Sequence, residues 1–139
     1  MKKYGLGKKD KLCSLVAIEQ LFGAGGADFS TLAFPLRAVA RPNPRRSSDA
    51  PVVFLISIPK KRLRHAVDRV AMRRRVREAY RLNRHAYPLP EGTRVDMAFI
   101  YVADRLKSYR SVERAMHRIL SALSEHYSTP SSLPDESAQ

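Results

Sequence analysis

The chain has 139 residues and a mass of 15.7 kDa, the length of one folded domain with a single hydrophobic core. Hydrophobic residues make up 44% of it and only 6 glycines and 9 prolines occur, which excludes a disordered polymer and a collagen-like fibre. Because 26 lysine and arginine residues face 13 acidic ones, the charge of +13 predicts a polyanionic partner, with nucleic acid favoured over a membrane.

The amino-terminal region indicates a protein of the reducing cytoplasm. Cys13 is the only cysteine, so neither an intramolecular disulfide nor a cysteine-type zinc site is predicted. The apolar stretch 12–18 is interrupted by Ser14 and followed by Glu19, so it does not predict an export signal. No stretch approaches the roughly 18 consecutive apolar residues of a membrane span, and we expect a soluble, cytoplasmic protein.

A helix is predicted over residues 12–22, because apolar side chains recur at helical spacing and a glycine-rich run, residues 23–26, follows. The apolar positions of this opening helix are Leu12, Leu15, Ile18 and Phe22. Residues 29–40 predict extended structure, but Pro35 cannot donate a ladder hydrogen bond, so a strand here is expected at a sheet edge or broken in two. The turn-rich residues 41–49 predict an exposed loop between strands.

Two short apolar runs flank a long basic segment and predict a crossover between parallel strands. Residues 52–58 are β-branched and aromatic, which is typical of a strand covered on both faces, and we expect this strand to be central in its sheet. Residues 95–102 form the second run. The segment between them, 63–85, lacks glycine and proline and predicts a helix, so the order strand, helix, strand favours a parallel βαβ unit.

A closing helix is predicted over residues 108–125, with an apolar stripe along one face. The stripe consists of Val112, Ala115, Met116, Ile119, Leu120 and Leu123. The fold class that follows is an α/β (α+β) two-layer sandwich forming one domain, residues 1–127. Residues 128–139 are rich in serine and proline and predict a disordered tail.

The basic helix concentrates the charge of the molecule. Residues 60–84 contain 11 lysine or arginine residues against two acids, Asp68 and Glu78, which is +9 of the total +13. At the helical rotation of about 100° per residue, one group of arginines falls within an arc of roughly 100°. This cationic arc comprises Arg73, Arg77, Arg81 and Arg84, with Arg74 at its margin. A separate arc of Met72, Val76, Ala79 and Tyr80 is predicted to pack on the sheet.

Like charges four residues apart favour a bound polyphosphate over a solvated face, because such pairs are unfavourable without a counter-anion. The excess of arginine over lysine further favours bidentate recognition of phosphate. The candidate RNA-binding residues are Lys60, Lys61, Arg62, Arg64, Arg69, Arg73, Arg74, Arg77, Arg81 and Arg84.

Three runs of this segment, read in order, are Lys60-Lys61, Ala66-Val67-Asp68-Arg69 and Arg73-Arg74-Arg75-Val76-Arg77-Glu78-Ala79-Tyr80-Arg81. Together they resemble the signature of the bacterial ribonuclease P protein component, and the order of the other elements agrees with it over roughly residues 8–125. The resemblance implies a left-handed βαβ crossover, an exception to the usual right-handed rule. It also implies a subunit of an endoribonuclease whose chemistry belongs to a catalytic RNA with bound Mg²⁺, so no catalytic or metal-binding residue is expected in the chain.

The partners implied by the resemblance are the catalytic RNA, contacted by the basic helix, and the single-stranded 5′ leader of precursor tRNA, held in a cleft beside the opening helix. The cleft candidates are Ile18, Phe22 and Phe34, whose spacing fits ordinary core residues equally well. The chain departs from the family at Val70 and Ala71, where asparagine and arginine are typical, and at Ile18, where an aromatic residue is usual. These departures predict weaker or rearranged RNA contacts.

Two other binding functions remain open: a non-catalytic protein that binds structured RNA, such as a ribosome-associated module, and a DNA-binding protein. The second is the weaker, because neither a helix-turn-helix nor a leucine zipper accompanies the basic helix. A histidine-dependent nuclease is disfavoured, since no aligned carboxylate accompanies His65, His85, His117 or His126. The carboxylates Asp68, Asp96 and Glu113 do not have metal-ligand spacing and are expected to be caps or ion-pair partners.

Overall fold

The computed structural model of the chain describes residues 18, 21–23, 26–43 and 51–128. Its elements are β1 (Phe29–Ala33), β2 (Leu36–Pro42), β3 (Val52–Ser57), α1 (Ala66–Asn83), β4 (Val95–Tyr101) and α2 (Tyr109–Ser128). A short 3₁₀ turn, Arg84–Ala86, follows α1, which is the basic helix. Of the predicted opening helix, Ile18, Leu21 and Phe22 are helical, and the remainder lies outside the described residues. Residues 44–49 of the predicted loop and 129–139 of the predicted tail also lie outside them.

Pro35 divides the first extended segment into a hairpin, as its sequence predicts. β1 and β2 are antiparallel, and the Phe34–Pro35 peptide bond, which is cis, lies in the turn between them. Arg41 and Pro42 were expected to open the exposed loop, but they complete β2 because they pair with Asp96 and Val95 of β4. Ser128, assigned to the tail by the sequence, likewise belongs to the last turn of α2.

The four strands form one mixed sheet in the order β1-β2-β4-β3, with β3 and β4 parallel and the other pairs antiparallel. The predicted parallel βαβ unit is confirmed, while the hand of its crossover stays a prediction. The central position expected for residues 52–58 is wrong, because β3 is an edge strand and β4 has two neighbours. An apolar run indicates that both faces of a strand are covered and does not indicate how many neighbours it has.

Both faces of β3 are indeed covered, by two separate hydrophobic clusters. Phe54 belongs to the main cluster, where α1 and α2 pack on one face of the sheet, and Val53 belongs to a smaller cluster with Leu21 on the opposite face. All six members of the predicted stripe of the closing helix are buried in the main cluster, as are the four apolar residues of the basic helix. The core therefore fixes which face of each helix is turned outward.

Asp96 and Glu113, which the sequence predicts to be caps or ion-pair partners, instead accept hydrogen bonds from uncharged side chains. Asp96 is buried on β4 and accepts a hydrogen bond of 2.8 Å from Asn43 Nδ2. Glu113 of α2 accepts hydrogen bonds of 3.3 Å from Asn83 Nδ2 and from the hydroxyl of Tyr109. Since Asn83 ends α1, this carboxylate links the two helices. A second link is the hydrogen bond that the Arg75 guanidinium donates to the Lys107 carbonyl, just before α2.

The end of α2 is joined to the start of β1 by Tyr127, whose hydroxyl donates a hydrogen bond of 2.6 Å to Asp28 Oδ1. Burial, followed by the hydrogen bond and charge of Asp28, raises the pKa of Tyr127 well above its ordinary value. Removal of this hydroxyl in Tyr127→Phe is expected to lower the free energy of unfolding by about 1–2 kcal/mol at neutral pH.

The stabilisation by the Tyr127 hydroxyl should decrease at alkaline pH. The folded chain holds the tyrosine proton more tightly than the unfolded chain, so the stabilisation is complete at neutral pH and decreases as the pH rises above about 10, the value for unfolded tyrosine. Urea unfolding of both proteins at neutral and alkaline pH measures the difference. A variant as stable as the parent chain at pH 7 would show that the bond contributes nothing.

Candidate nucleic-acid interface

The basic helix presents exposed cations on the side turned away from the core. The turn that leads into it is closed by a 2.9 Å hydrogen bond from the Arg62 N–H to the Pro59 carbonyl. The exposed basic residues of the turn and helix are Lys60, Lys61, Arg64, Arg73, Arg74 and Arg77. Among the residues that the structure describes, none forms an ion pair or a side-chain hydrogen bond with Arg73, Arg74 or Arg77. Within the described structure, the donors of these three exposed guanidinium groups are therefore available.

Two predicted members of the cationic arc, Arg81 and Arg84, are less available to bind phosphate groups. Arg81 is half-buried and forms a two-point ion pair with Glu78, with Nε–Oε1 at 3.1 Å and Nη2–Oε2 at 2.5 Å. The hydrogen bond to Arg81 lowers the pKa of Glu78, and the same bond raises the pKa of Arg81. Arg84 is also half-buried and lies over the ring of Tyr80, 5.7 Å from its centroid. It begins the 3₁₀ turn, where a rotation of 100° per residue no longer applies.

Arg69 braces the start of the basic helix. Its Nη1 donates hydrogen bonds to the carbonyls of Leu63 at 2.8 Å and Arg64 at 2.9 Å, so part of its donor capacity is used within the chain. Arg62 is half-buried in the preceding turn. Arg62 and Arg69 lie near the start of α1, and the exposed candidates Arg73, Arg74 and Arg77 lie further along the helix.

Val70 lies on the exposed side of the basic helix, among the arginines of the cationic arc, and 52% of it is exposed. The residue at this position therefore belongs to the outer surface of α1 and not to the core. Ala71, beside it, is half-buried.

Val70→Asn combined with Ala71→Arg introduces the residues that the resemblance gives as typical, and it is expected to strengthen binding to the RNA that the resemblance implies or to lower the Mg²⁺ requirement of that RNA. The gain should correspond to roughly 1–3 kcal/mol, the range for new charge-assisted hydrogen bonds. Binding assays and cleavage assays across a magnesium titration measure it. Val70→Asn alone should leave the melting temperature unchanged, whereas a large decrease would show that Val70 packs against a neighbouring element.

The sheet face opposite α1 and α2 contains a partly open row of side chains. Strand pairing aligns Leu32 with Arg37, Arg37 with Ile100, and Ile100 with Ser57. Leu32 and Arg37 are exposed, and the other two are half-buried. We call these four residues the open row. Sequence reasoning missed Leu32 and Arg37, although strand alternation on either side of the Pro35 turn would have placed them on one face.

The three predicted cleft residues are not all brought together. Ile18 packs half-buried against the smaller cluster on the open-row face, and Phe22, one residue beyond Leu21, is 49% exposed. Phe34 is also exposed but lies in the hairpin turn, with Lys107 Nζ 5.4 Å from its ring centroid. Ile18 thus borders the open-row face as a packed residue, whereas Phe34 interacts with the loop that precedes α2.

The histidines occupy separate surroundings. His117 Nδ1 and the Tyr87 hydroxyl are hydrogen-bonded at 2.9 Å. The expectation that no carboxylate accompanies the histidines is wrong for His126, because its Nε2 lies 3.6 Å from Asp28 Oδ2. Within the described ranges, no three histidine, cysteine, aspartate or glutamate side chains form a group that could hold a metal ion. In the same ranges, none of the helices is long and apolar enough to cross a membrane.

The fold and surface define a class of protein: a small, strongly basic α+β domain in which a cationic helix connects two parallel strands and turns Arg73, Arg74 and Arg77 outward. The family model for ribonuclease P matches residues 6–124. The chain therefore belongs to the ribonuclease P protein family, as its basic segment predicts. Membership makes it a protein subunit of an endoribonuclease in tRNA processing and implies an RNA partner.

Comparison with individual proteins gives the same result. Ribonuclease P protein components from two strains of Porphyromonas gingivalis are 39% identical to the chain over 120 and 123 residues, each match covering 84% of this chain and 85% of the relative. The solved structure of the Staphylococcus aureus RNase P protein has a TM-score of 0.63 at 14% identity, covering 80% of this chain and 92% of that one. The similarity to the Staphylococcus aureus structure concerns the fold alone.

Proposed function

We propose that the chain binds the catalytic RNA of ribonuclease P through the outer side of the basic helix and the 5′ leader of precursor tRNA along the open row. In this proposal the RNA holds Mg²⁺ and hydrolyses the phosphodiester bond, and the chain assists by binding both RNA molecules. The observation that carries the proposal is the group of exposed side chains of Arg73, Arg74 and Arg77, which have no ion-pair partner in the described part of the chain.

The position of these arginines is fixed by the core before any RNA binds. Met72 and Val76 are fully buried on the same helix, so α1 cannot rotate without exposing them. Arg73 and Arg77 are one turn apart, which puts their Cβ atoms about 6 Å from each other. Two like charges held this close repel, and neutralisation by phosphate groups removes the repulsion and releases counterions from the RNA.

The open row suits a single strand better than a duplex. Leu32 and Ile100 offer apolar contact to a base, and Arg37 between them offers a cation to the backbone or a guanidinium plane for stacking. The row itself carries no aromatic side chain. Base stacking would therefore depend on Phe22, since Ile18 replaces the aromatic residue usual in the family.

RNA binding of this kind has a characteristic salt dependence. The logarithm of the affinity for the cognate ribonuclease P RNA should fall linearly with the logarithm of salt concentration, with a slope of several units, because each neutralised phosphate contributes about 0.7–0.9. Fluorescence anisotropy between about 50 and 200 mM salt measures the slope. A slope near zero would contradict the proposed phosphate contacts.

Leader binding is tested by comparing two ligands of the reconstituted complex, precursor tRNA and mature tRNA. The protein should increase affinity for the precursor and leave affinity for mature tRNA nearly unchanged. Arg37→Ala should reduce that difference, and Arg105→Ala, in an exposed loop, is the matched control. An equal increase for both ligands would assign the protein to structured-RNA binding without leader recognition.

A further inference from the structure

A second row of exposed arginines runs along α2, outside every candidate site described above. Arg110, Arg114 and Arg118 follow one another at intervals of four residues and are all exposed. The opposite side of the same helix carries the buried stripe that includes Val112 and Ile119. The three arginines, which we call the α2 row, are therefore directed away from the core.

The α2 row is not neutralised by its neighbours. Within the described structure, none of its members has an ion pair or a side-chain hydrogen bond. The one acid at a distance of three or four residues is Glu113, and its carboxylate is engaged with Asn83 and Tyr109 towards α1. A solvated helix face usually alternates charges at these spacings, and three like charges in sequence are unfavourable without an anionic partner.

The two helices that carry these arginine groups are neighbours. α1 and α2 pack side by side on the same sheet face, and the hydrogen bonds from Arg75 to Lys107 and from Asn83 to Glu113 fix their relative position. These contacts occur in the same order along both helices, so the helices run in the same direction. The helix that carries the α2 row is therefore the direct neighbour of the basic helix.

We propose that the α2 row is a second RNA-binding surface, which contacts the sugar-phosphate backbone of a double-helical segment of the catalytic RNA. The inference rests on the proposed function. The row extends over nine residues, with its ends about 12 Å apart along the helix, and consists of guanidinium groups that match phosphate geometry. The outward residues at neighbouring positions are Ser121 and Glu125, so no aromatic side chain adjoins the row to stack on unpaired bases, and a paired backbone suits it better.

The test compares the full-length chain with the triple variant Arg110→Gln, Arg114→Gln and Arg118→Gln. Glutamine keeps the helix propensity close to that of arginine, so circular dichroism and the melting temperature should not change. The affinity for the cognate ribonuclease P RNA should fall about tenfold or more, and the salt slope should decrease by about 2. Ser121→Arg, which extends the row at an exposed position, should increase affinity, with Ser121→Gln as its control.

The outcomes separate this inference from the function on which it rests. Wild-type RNA affinity in the triple variant, together with weakened binding in Arg73→Ala/Arg77→Ala, would overturn the α2 row and leave the proposed function intact. Unchanged affinity in both variants would contradict the proposed function itself. A triple variant that binds the catalytic RNA normally but loses affinity only for precursor tRNA would place the row on the substrate and also overturn the inference.

Discussion

Replacing Arg73 and Arg77 together with alanine is expected to weaken binding to the catalytic RNA by about 2–3 kcal/mol, or roughly a hundredfold. Both side chains are exposed, one turn apart, and without an ion-pair partner among the described residues, so their donors are available to phosphate. Alanine favours the helix, and the far-ultraviolet dichroism spectrum should remain unchanged. Titration of labelled RNA at constant salt measures the loss.

Arg81→Ala combined with Arg84→Ala provides the matched control, since it removes the same charge from the same stretch of chain. Arg81 is already paired with Glu78, and Arg84 packs over Tyr80, so these side chains have less capacity for phosphate. The control should lose less RNA affinity than the Arg73 and Arg77 variant. If the Arg73 and Arg77 variant unfolds, its side chains stabilise the fold and the assignment of the outer side is wrong.

Truncation of Phe99 to alanine is expected to lower the free energy of unfolding by about 3–5 kcal/mol. Phe99 is fully buried on β4, the strand that follows the crossover and pairs with both β2 and β3. Its ring centroid lies 5.8 Å from that of Phe54 and 5.7 Å from that of Tyr80. Since Tyr80 belongs to α1, the cavity would weaken the attachment of the basic helix to the sheet. Urea unfolding measures the change in stability.

Two further variants serve as comparisons for Phe99→Ala in the unfolding measurement. Phe99→Leu keeps most of the side-chain volume and should cost less than the alanine substitution, which keeps the test informative if Phe99→Ala does not fold. Val67→Ala alters a side chain of α1 that is 73% exposed and should change stability by no more than about 0.5 kcal/mol. Equal effects of Phe99→Ala and Val67→Ala would contradict the described core.

Local patterns in the sequence predicted most of the fold. Pro35 indicated the break between β1 and β2, and the order of apolar runs around the basic helix indicated the parallel pair. The edge position of β3 could not be predicted from local patterns, because the order of strands depends on long-range pairing. The apolar run of residues 52–58 indicates only that both faces of the strand are buried.

The sequence predicted the candidate site less completely than the fold. Helical rotation placed Arg73 and Arg77 outside, but it could not show that Arg81 would pair with Glu78 or that α1 would end before Arg84. The open row joins Leu32 and Arg37 to β4, and this arrangement follows from strand register rather than from any local motif.

Reconstituted 5′ maturation at limiting Mg²⁺ measures most directly whether the chain assists cleavage by a catalytic RNA, as we propose. The cognate ribonuclease P RNA is incubated with precursor tRNA, with and without the full-length chain, and the cleavage rate is followed. The chain should accelerate cleavage at the mature 5′ end, and Arg73→Ala/Arg77→Ala should require a higher protein concentration for the same rate. Identical rates with and without the chain, at concentrations that saturate RNA binding, would contradict the proposed function.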